Sequence, residues 1–94
     1  MADFFNRRNV AAVMAFTDAS AIFEFGFEAT EQLIHNDGNG TVEVSFDGVN
    51  VHARLQITGP SKVVHWSDHV RRRVWVRNAG GGGPRNVEVL ATTR

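Results

Sequence analysis

The sequence predicts an all-β protein: a compact β-sandwich, of jelly-roll or immunoglobulin-like type, with six to eight short antiparallel strands and an N-terminal arm. Three observations carry this expectation. From Ala19 onward apolar and polar residues alternate with a period of two, which places every second side chain on one face of a strand. Turn residues recur roughly every 8–12 positions, the spacing of small sandwiches and barrels. The stretch that lacks this alternation is the beginning, so residues 1–18 read as the arm and residues 19–94 as the sandwich domain.

The arm begins MADFFNRRNVAAVMAFT and holds Phe4, Phe5, Val10, Val13, Met14 and Phe16. These could line a short helix, but its caps are weak and Phe4-Phe5 falls outside it. The expectation is a partly extended arm with more apolar side chains than a small core houses, docked on the domain or on a neighbour. Next, Phe23, Phe25 and Phe27 alternate with Glu24, Gly26 and Glu28, a strand that turns three aromatics inward. Gly26 marks a bulge or a close backbone approach. Gln32 to Asn36 reads as a second strand, joined by the turn Asp37-Gly38-Asn39-Gly40 to a hairpin partner at 41–46.

The strongest local signal is TVEVSFDGVNVHARLQI, from Thr41 to Ile57. Asp47-Gly48 between two alternating runs predicts a two-residue hairpin turn, which needs positive φ at its centre. That turn sets Phe46 opposite Val49, Val44 opposite Val51 and Val42 opposite Ala53, all on one apolar face. Glu43 then meets His52, and Ser45 meets Asn50, on the polar face. Thr58-Gly59-Pro60-Ser61 is a break, Val63 to Trp66 a brief strand, and Ser67-Asp68-His69 a turn. VRRRVWVR, 70–77, and NVEVLA, 86–91, read as two strands of a hairpin joined by a mobile loop that contains four consecutive glycines.

Composition bounds the function. Ninety-four residues make one domain, and the absence of cysteine excludes disulfides and thiolate zinc sites. No apolar run is long enough to span a membrane, and the first residues lack the pattern of a secretory leader, which predicts a soluble protein made inside a cell, whatever its final location. Formal charge is zero, yet residues 1–50 carry eight acids against two arginines, and residues 51–94 eight basic residues against two acids. Either acidic and basic strands are neighbours in the sheet, or one copy's basic surface meets an acidic surface elsewhere.

Candidate chemistry is sparse. His65 and His69 have helix-face spacing but flank a turn, and no glutamate stands between them as in a zinc protease helix. Ser67-Asp68-His69 names the residue types of a hydrolase triad, but adjacent residues cannot adopt its geometry. The glycines at 80–83 precede neither a helix nor the Lys-Ser/Thr of a phosphate loop. No metal, cofactor or catalytic residue is therefore expected, and the protein reads as a non-enzyme. Arg71, Arg73, Trp75 and Arg77 share one strand face, which suits a protein interface, a solvated surface or single-stranded nucleic acid. The neutral charge and a pI near 6.9 argue against nucleic acid. With the arm's Phe4, Phe5, Val13, Met14 and Phe16, these residues form the expected interface. Trp66 or Trp75 as a sugar-stacking platform is the alternative from another class.

The stretches FEFGFEATEQLIHND (23–37), VSFDGVNVHARL (44–55), RRRVWVR (71–77) and VEVLA (87–91) follow one another in an order that resembles small β-sandwich virion proteins of tailed bacteriophages. The resemblance spans about residues 20–91 and leaves out the arm. It implies a structural role in the virion after synthesis in the host cytoplasm. Capsid decoration (cement) is the first expectation and a neck or tail accessory the second. The partners it implies are the major capsid protein or other virion proteins, and further copies of the chain in a homo-oligomer.

Overall fold

The computed structural model describes residues 3–57 and 59–93. Thr58 of the expected break and the side chain of Asp68 lie outside the described residues. The fold is all-β, as the alternation predicts. Strands β1 (Asp3–Asn9), β2 (Ile22–Asn36), β3 (Val42–Ser45), β4 (Ala53–Leu55), β5 (Val63–Asn78) and β6 (Asn86–Thr92) form one antiparallel sheet in the order β1-β6-β2-β5-β3-β4. A single 3-10 turn at Pro60–Lys62 interrupts them.

The strands form one continuous sheet, bent over its own core. Strands β2 and β5, of 15 and 16 residues, belong to both halves of that sheet. Glu31–Asn36 of β2 lies between β6 and the start of β5, whereas Ile22–Glu24 pairs with the end of β5, which also carries β3. Between these segments the β2–β5 register shifts twice, at Glu24/Ala29 and at Ala29/Glu31. Gly26, at φ 85°, sits in the irregular stretch, so the bulge read from its position is there. The bend brings distant strands together across the core. The rings of Phe4 in β1 and Phe25 in β2 lie 5.2 Å apart, and the Arg8 guanidinium lies 4.0 Å from the Phe23 ring centroid.

The core follows the period-two pattern. Phe23 and Phe25, Val42 and Val44, Val74 and Val76, and Val87, Val89 and Ala91 are all buried. Phe27 is only half-buried, because it stands at the irregular stretch where the faces drift.

The arm is the first large difference. Residues 3–9 are an edge strand paired with β6 from Asp3↔Thr92 to Asn9↔Asn86. Beyond it, Val10 and Val13 are buried in the core cluster and Phe16 is buried under Arg77, while Met14 stays exposed. The backbone is stitched in as well: Val10 N–H donates to the Arg85 carbonyl, and Asn78 N–H to that of Val13. Residues 10–21 thus fill the opening left by the bend. Alternation does not show this, since a plug of turns has no period.

The pairing is the second difference. The 70–77 and 86–91 segments do not form a hairpin with each other: β5 pairs with β2 and β3, and β6 with β1 and β2. Strands 32–36 and 41–46 are not neighbours either, because β5 lies between β2 and β3. The expected turn at 67–69 is the interior of β5. The central hairpin does form, but shifted by two residues, with Val42 opposite Leu55, Glu43 opposite Arg54 and Val44 opposite Ala53. A shift of two keeps every side chain on its face.

Residues 46–52 make a loop in place of the tight turn. Ser45 Oγ accepts from the amides of Asp47 and Gly48, Asp47 Oδ1 accepts from those of Val49 and Asn50, and Phe46 N–H donates to His52 Nδ1. These side chains replace a backbone turn. Val49 and Val51, expected in the core, are exposed instead. Gly48 keeps positive φ, 78°, and a Cβ there would lie 3.0 Å from Trp75 Cε2. Gly48→Val is therefore expected to cost about 1–3 kcal/mol, read as a lower melting temperature, and a variant that melts with the parent would refute the role of this loop.

The four glycines are not a slack tip. The buried guanidinium of Arg85 donates to the carbonyls of Gly80, Gly82 and Gly83, and Asn78 Nδ2 donates to that of Gly81. Gly80, Gly81 and Gly83 have positive φ, and a Cβ at Gly40 would collide with the same guanidinium. The loop is wound around a cation, so the expectation of a mobile loop is corrected.

Candidate protein-interaction surface

The acidic and basic halves of the chain meet inside the molecule. Strand β2 carries the acids and β5 the arginines, and their pairing puts Glu24 at 2.9 Å from Arg73 and Glu28 at 3.7 Å from Arg72. Glu43 takes Arg77 at 2.9 Å and Arg54 at 3.4 Å. The expected Glu43–His52 pair is thereby replaced, and His52 faces Asp47 at 4.0 Å. Of the two readings of the charge asymmetry, neighbouring strands is the one observed.

The expected arginine face divides accordingly. Arg77 is folded down over the buried Phe16 ring, 4.1 Å from its centroid. Arg71, Arg73 and Trp75 line one shallow groove of about 270 Å³ with Phe46, Val70 and Arg72. Val70 is exposed here, in the part of β5 that lies beside the register shift between Arg71 and Ser67. Arg71 is half-buried: it donates to Gln32 Oε1 and stacks 3.5 Å from the Phe46 centroid, and burial lowers its pKa. Phe46 in turn stands edge-on to Trp66 at 4.5 Å, and Gly48 lies on Trp75. Both indoles are thus partly covered by the protein's own groups, which weakens them as open sugar platforms.

A different surface presents the more continuous apolar area. On the outer side of the sheet, Phe5 of β1 lies opposite Leu90 of β6, Leu90 opposite Leu33 of β2, and Leu33 opposite His65 of β5. Phe5 is 62% exposed and Leu90 37%. Leu33 and Leu90, with Glu31, His65 and Thr92, line a depression of about 250 Å³. Of the expected interface residues, only Phe5 belongs here. Phe4 packs inward on Phe25, and Val13 and Phe16 are buried. Leu90 was legible in principle, as the leucine at an outward position of VEVLA. Leu33 was not, because the alternation around Gln32 is inverted: Gln32 is buried and donates to the carbonyls of Ala29 and His69.

One side of this row is ionic. Arg7 Nη1 donates to Asp37 at 2.8 Å and to Glu88 at 2.9 Å, and Glu88 also meets His35 Nδ1 at 2.9 Å. The Arg7 hydrogen bond lowers the pKa of Asp37, and those of His35 and then Arg7 lower that of Glu88. In the hairpin loop, the amides of Asn50 and Val49 hold the Asp47 carboxyl well below its ordinary range. A depressed carboxylate contributes stability that is present above its unfolded pKa, about 4, and is lost as pH falls through the folded value. The melting temperature is therefore expected to fall steadily below about pH 4. Asp47→Asn should lower the neutral melting temperature and flatten that acid limb. A melting temperature that holds to pH 2 would contradict the assignment.

Among the described residues no group of three or more His, Asp or Glu side chains is arranged to hold a metal ion. His65 stands on the sheet surface, 3.1 Å from Glu31. Comparison with family models, characterised proteins and solved structures returned no match.

Proposed function

We propose that the protein is a non-enzymatic structural subunit of a tailed-phage particle, with decoration of the capsid shell as its role. The observation that carries this reading is the Phe5–Leu90–Leu33 row, an apolar stripe with an ionic flank on a face built from strands. An apolar centre beside paired charges is the anatomy of a protein interface, and strands hold it in place at little ordering cost. The particle comes from the resemblance in the order of the sequence segments, and the outer face of the sheet is the part available to a shell. The test is mass spectrometry of purified virions from the culture that carries this gene. Decoration predicts the chain at a copy number comparable to that of the shell protein, and Leu90→Glu should deplete it from particles. A few copies per particle would shift the role to a neck or tail, and absence from virions would overturn the reading.

A further inference from the structure

Strand β1 ends the sheet: β6 pairs one side of it, and among the described residues no strand pairs the other. The ladder tells which backbone groups face outward. Val10 N–H donates to the Arg85 carbonyl, one step beyond the Asn9↔Asn86 pair. Hydrogen-bonded pairs alternate along an antiparallel ladder, so Phe4, Asn6 and Arg8 bond β6. The N–H and C=O groups of Asp3, Phe5 and Arg7 then point away from the sheet. Their side chains share the exposed face as well.

We propose that the protein forms a homodimer in which β1 pairs antiparallel with β1 of a second copy, about a twofold axis at Phe5. In this register Phe5 faces Phe5, and Asp3 of each copy faces Arg7 of the other. All three pairs use outward-facing backbone groups, so each exchanges both of its hydrogen bonds. Charge selects the arrangement. Asp3 has no hydrogen-bond or ionic partner among the described residues, and Arg7 uses only Nη1 for Asp37 and Glu88, leaving Nη2 and Nε to donate. Parallel pairing would set Asp3 beside Asp3, and a twofold at Arg7 would oppose two guanidinium groups, both unfavourable. Charges on an edge strand usually guard it against pairing. Here their opposite signs at the two ends make β1 complementary to itself. The dimer also joins the two Phe5–Leu90–Leu33 rows into one stripe across a continuous sheet.

This dimer is a property of the isolated chain and stands apart from the particle role, so the virion experiment and the following one fail independently. Sedimentation equilibrium of the full chain between about 5 and 200 µM, a range suited to a modest interface, should show the mass rising toward twice that of the chain. Phe5→Lys sets two cations face to face, and Phe5→Pro removes an outward N–H without touching the β6 ladder. Each should weaken dimerisation at least about tenfold while keeping a cooperative melt. If both variants unfold, Asp3→Lys, which opposes Arg7 with a like charge, replaces them with the same expected loss. A wild-type chain that stays monomeric at the top concentration, or folded variants that dimerise as tightly as wild type, would overturn the proposal.

Discussion

Removal of the first 17 residues is expected to abolish folding. The deletion takes away β1, which pairs with β6 over its whole length, and exposes one side of Val87, Val89 and Ala91. It also removes three buried side chains, Val10 and Val13 of the core cluster and Phe16. Burying three such side chains contributes about 5–8 kcal/mol. Small domains have only about 5–15 kcal/mol in total, so the loss alone consumes most of it. Circular dichroism should show a chain without a cooperative thermal transition. A truncated protein that melts cooperatively near the parent temperature would mean that residues 10–21 merely cover the core.

Arg85→Ala is expected to be more damaging than Gly48→Val or Asp47→Asn, at about 2–4 kcal/mol. Arg85 is 3% exposed and has no carboxylate partner among the described residues. Its guanidinium is held by the carbonyls of Gly80, Gly82 and Gly83, and Gly40 leaves the space it occupies. Alanine leaves those acceptors and a void behind, and it loosens the 79–84 loop that Asn78 anchors to Ala11 and Gly81. Arg85→Lys should recover little, because one ammonium on a flexible stem cannot reproduce a planar fork. Urea unfolding measures both. Wild-type stability in Arg85→Ala would show that the loop is held by the backbone alone. The sequence hides this role well: four glycines before Pro84-Arg85 read as slack, and only the fold brings Gly40 and the loop carbonyls around one cation.

The candidate surface was partly legible for a related reason. Phe5 stood out as an aromatic in a stretch without an evident core face, and it is exposed. Its neighbours Phe4, Val13 and Phe16 looked equally adhesive, yet Phe4 packs inward on Phe25, Val13 joins the core and Phe16 is buried under Arg77. The arginines of β5 looked like an interface because their partners lie some 34 to 49 residues away in sequence, on β2 and β3. Only the pairing of those strands shows that Glu24, Glu28 and Glu43 already meet Arg73, Arg72 and Arg77.

By itself the sequence determined what depends on neighbouring residues. Alternation assigned Phe23, Phe25, Val42, Val44, Val74 and Val76 to inward faces, the position of Gly26 pointed to a bulge, and the Asp47-Gly48 pair put Gly48 at positive φ. The tertiary structure decided everything that depends on which strand lies beside which. Antiparallel registers that differ by two residues satisfy the same alternation, so Val44 opposite Val51 and Val44 opposite Ala53 are equal in pattern. The side-chain hydrogen bonds of Ser45, Asp47 and His52 chose between them. Strand order is likewise not a local property. β5 lies between β2 and β3, and β6 between β1 and β2, because the long bent strands bury both halves of the chain over one core, which a chain of local hairpins would leave half open.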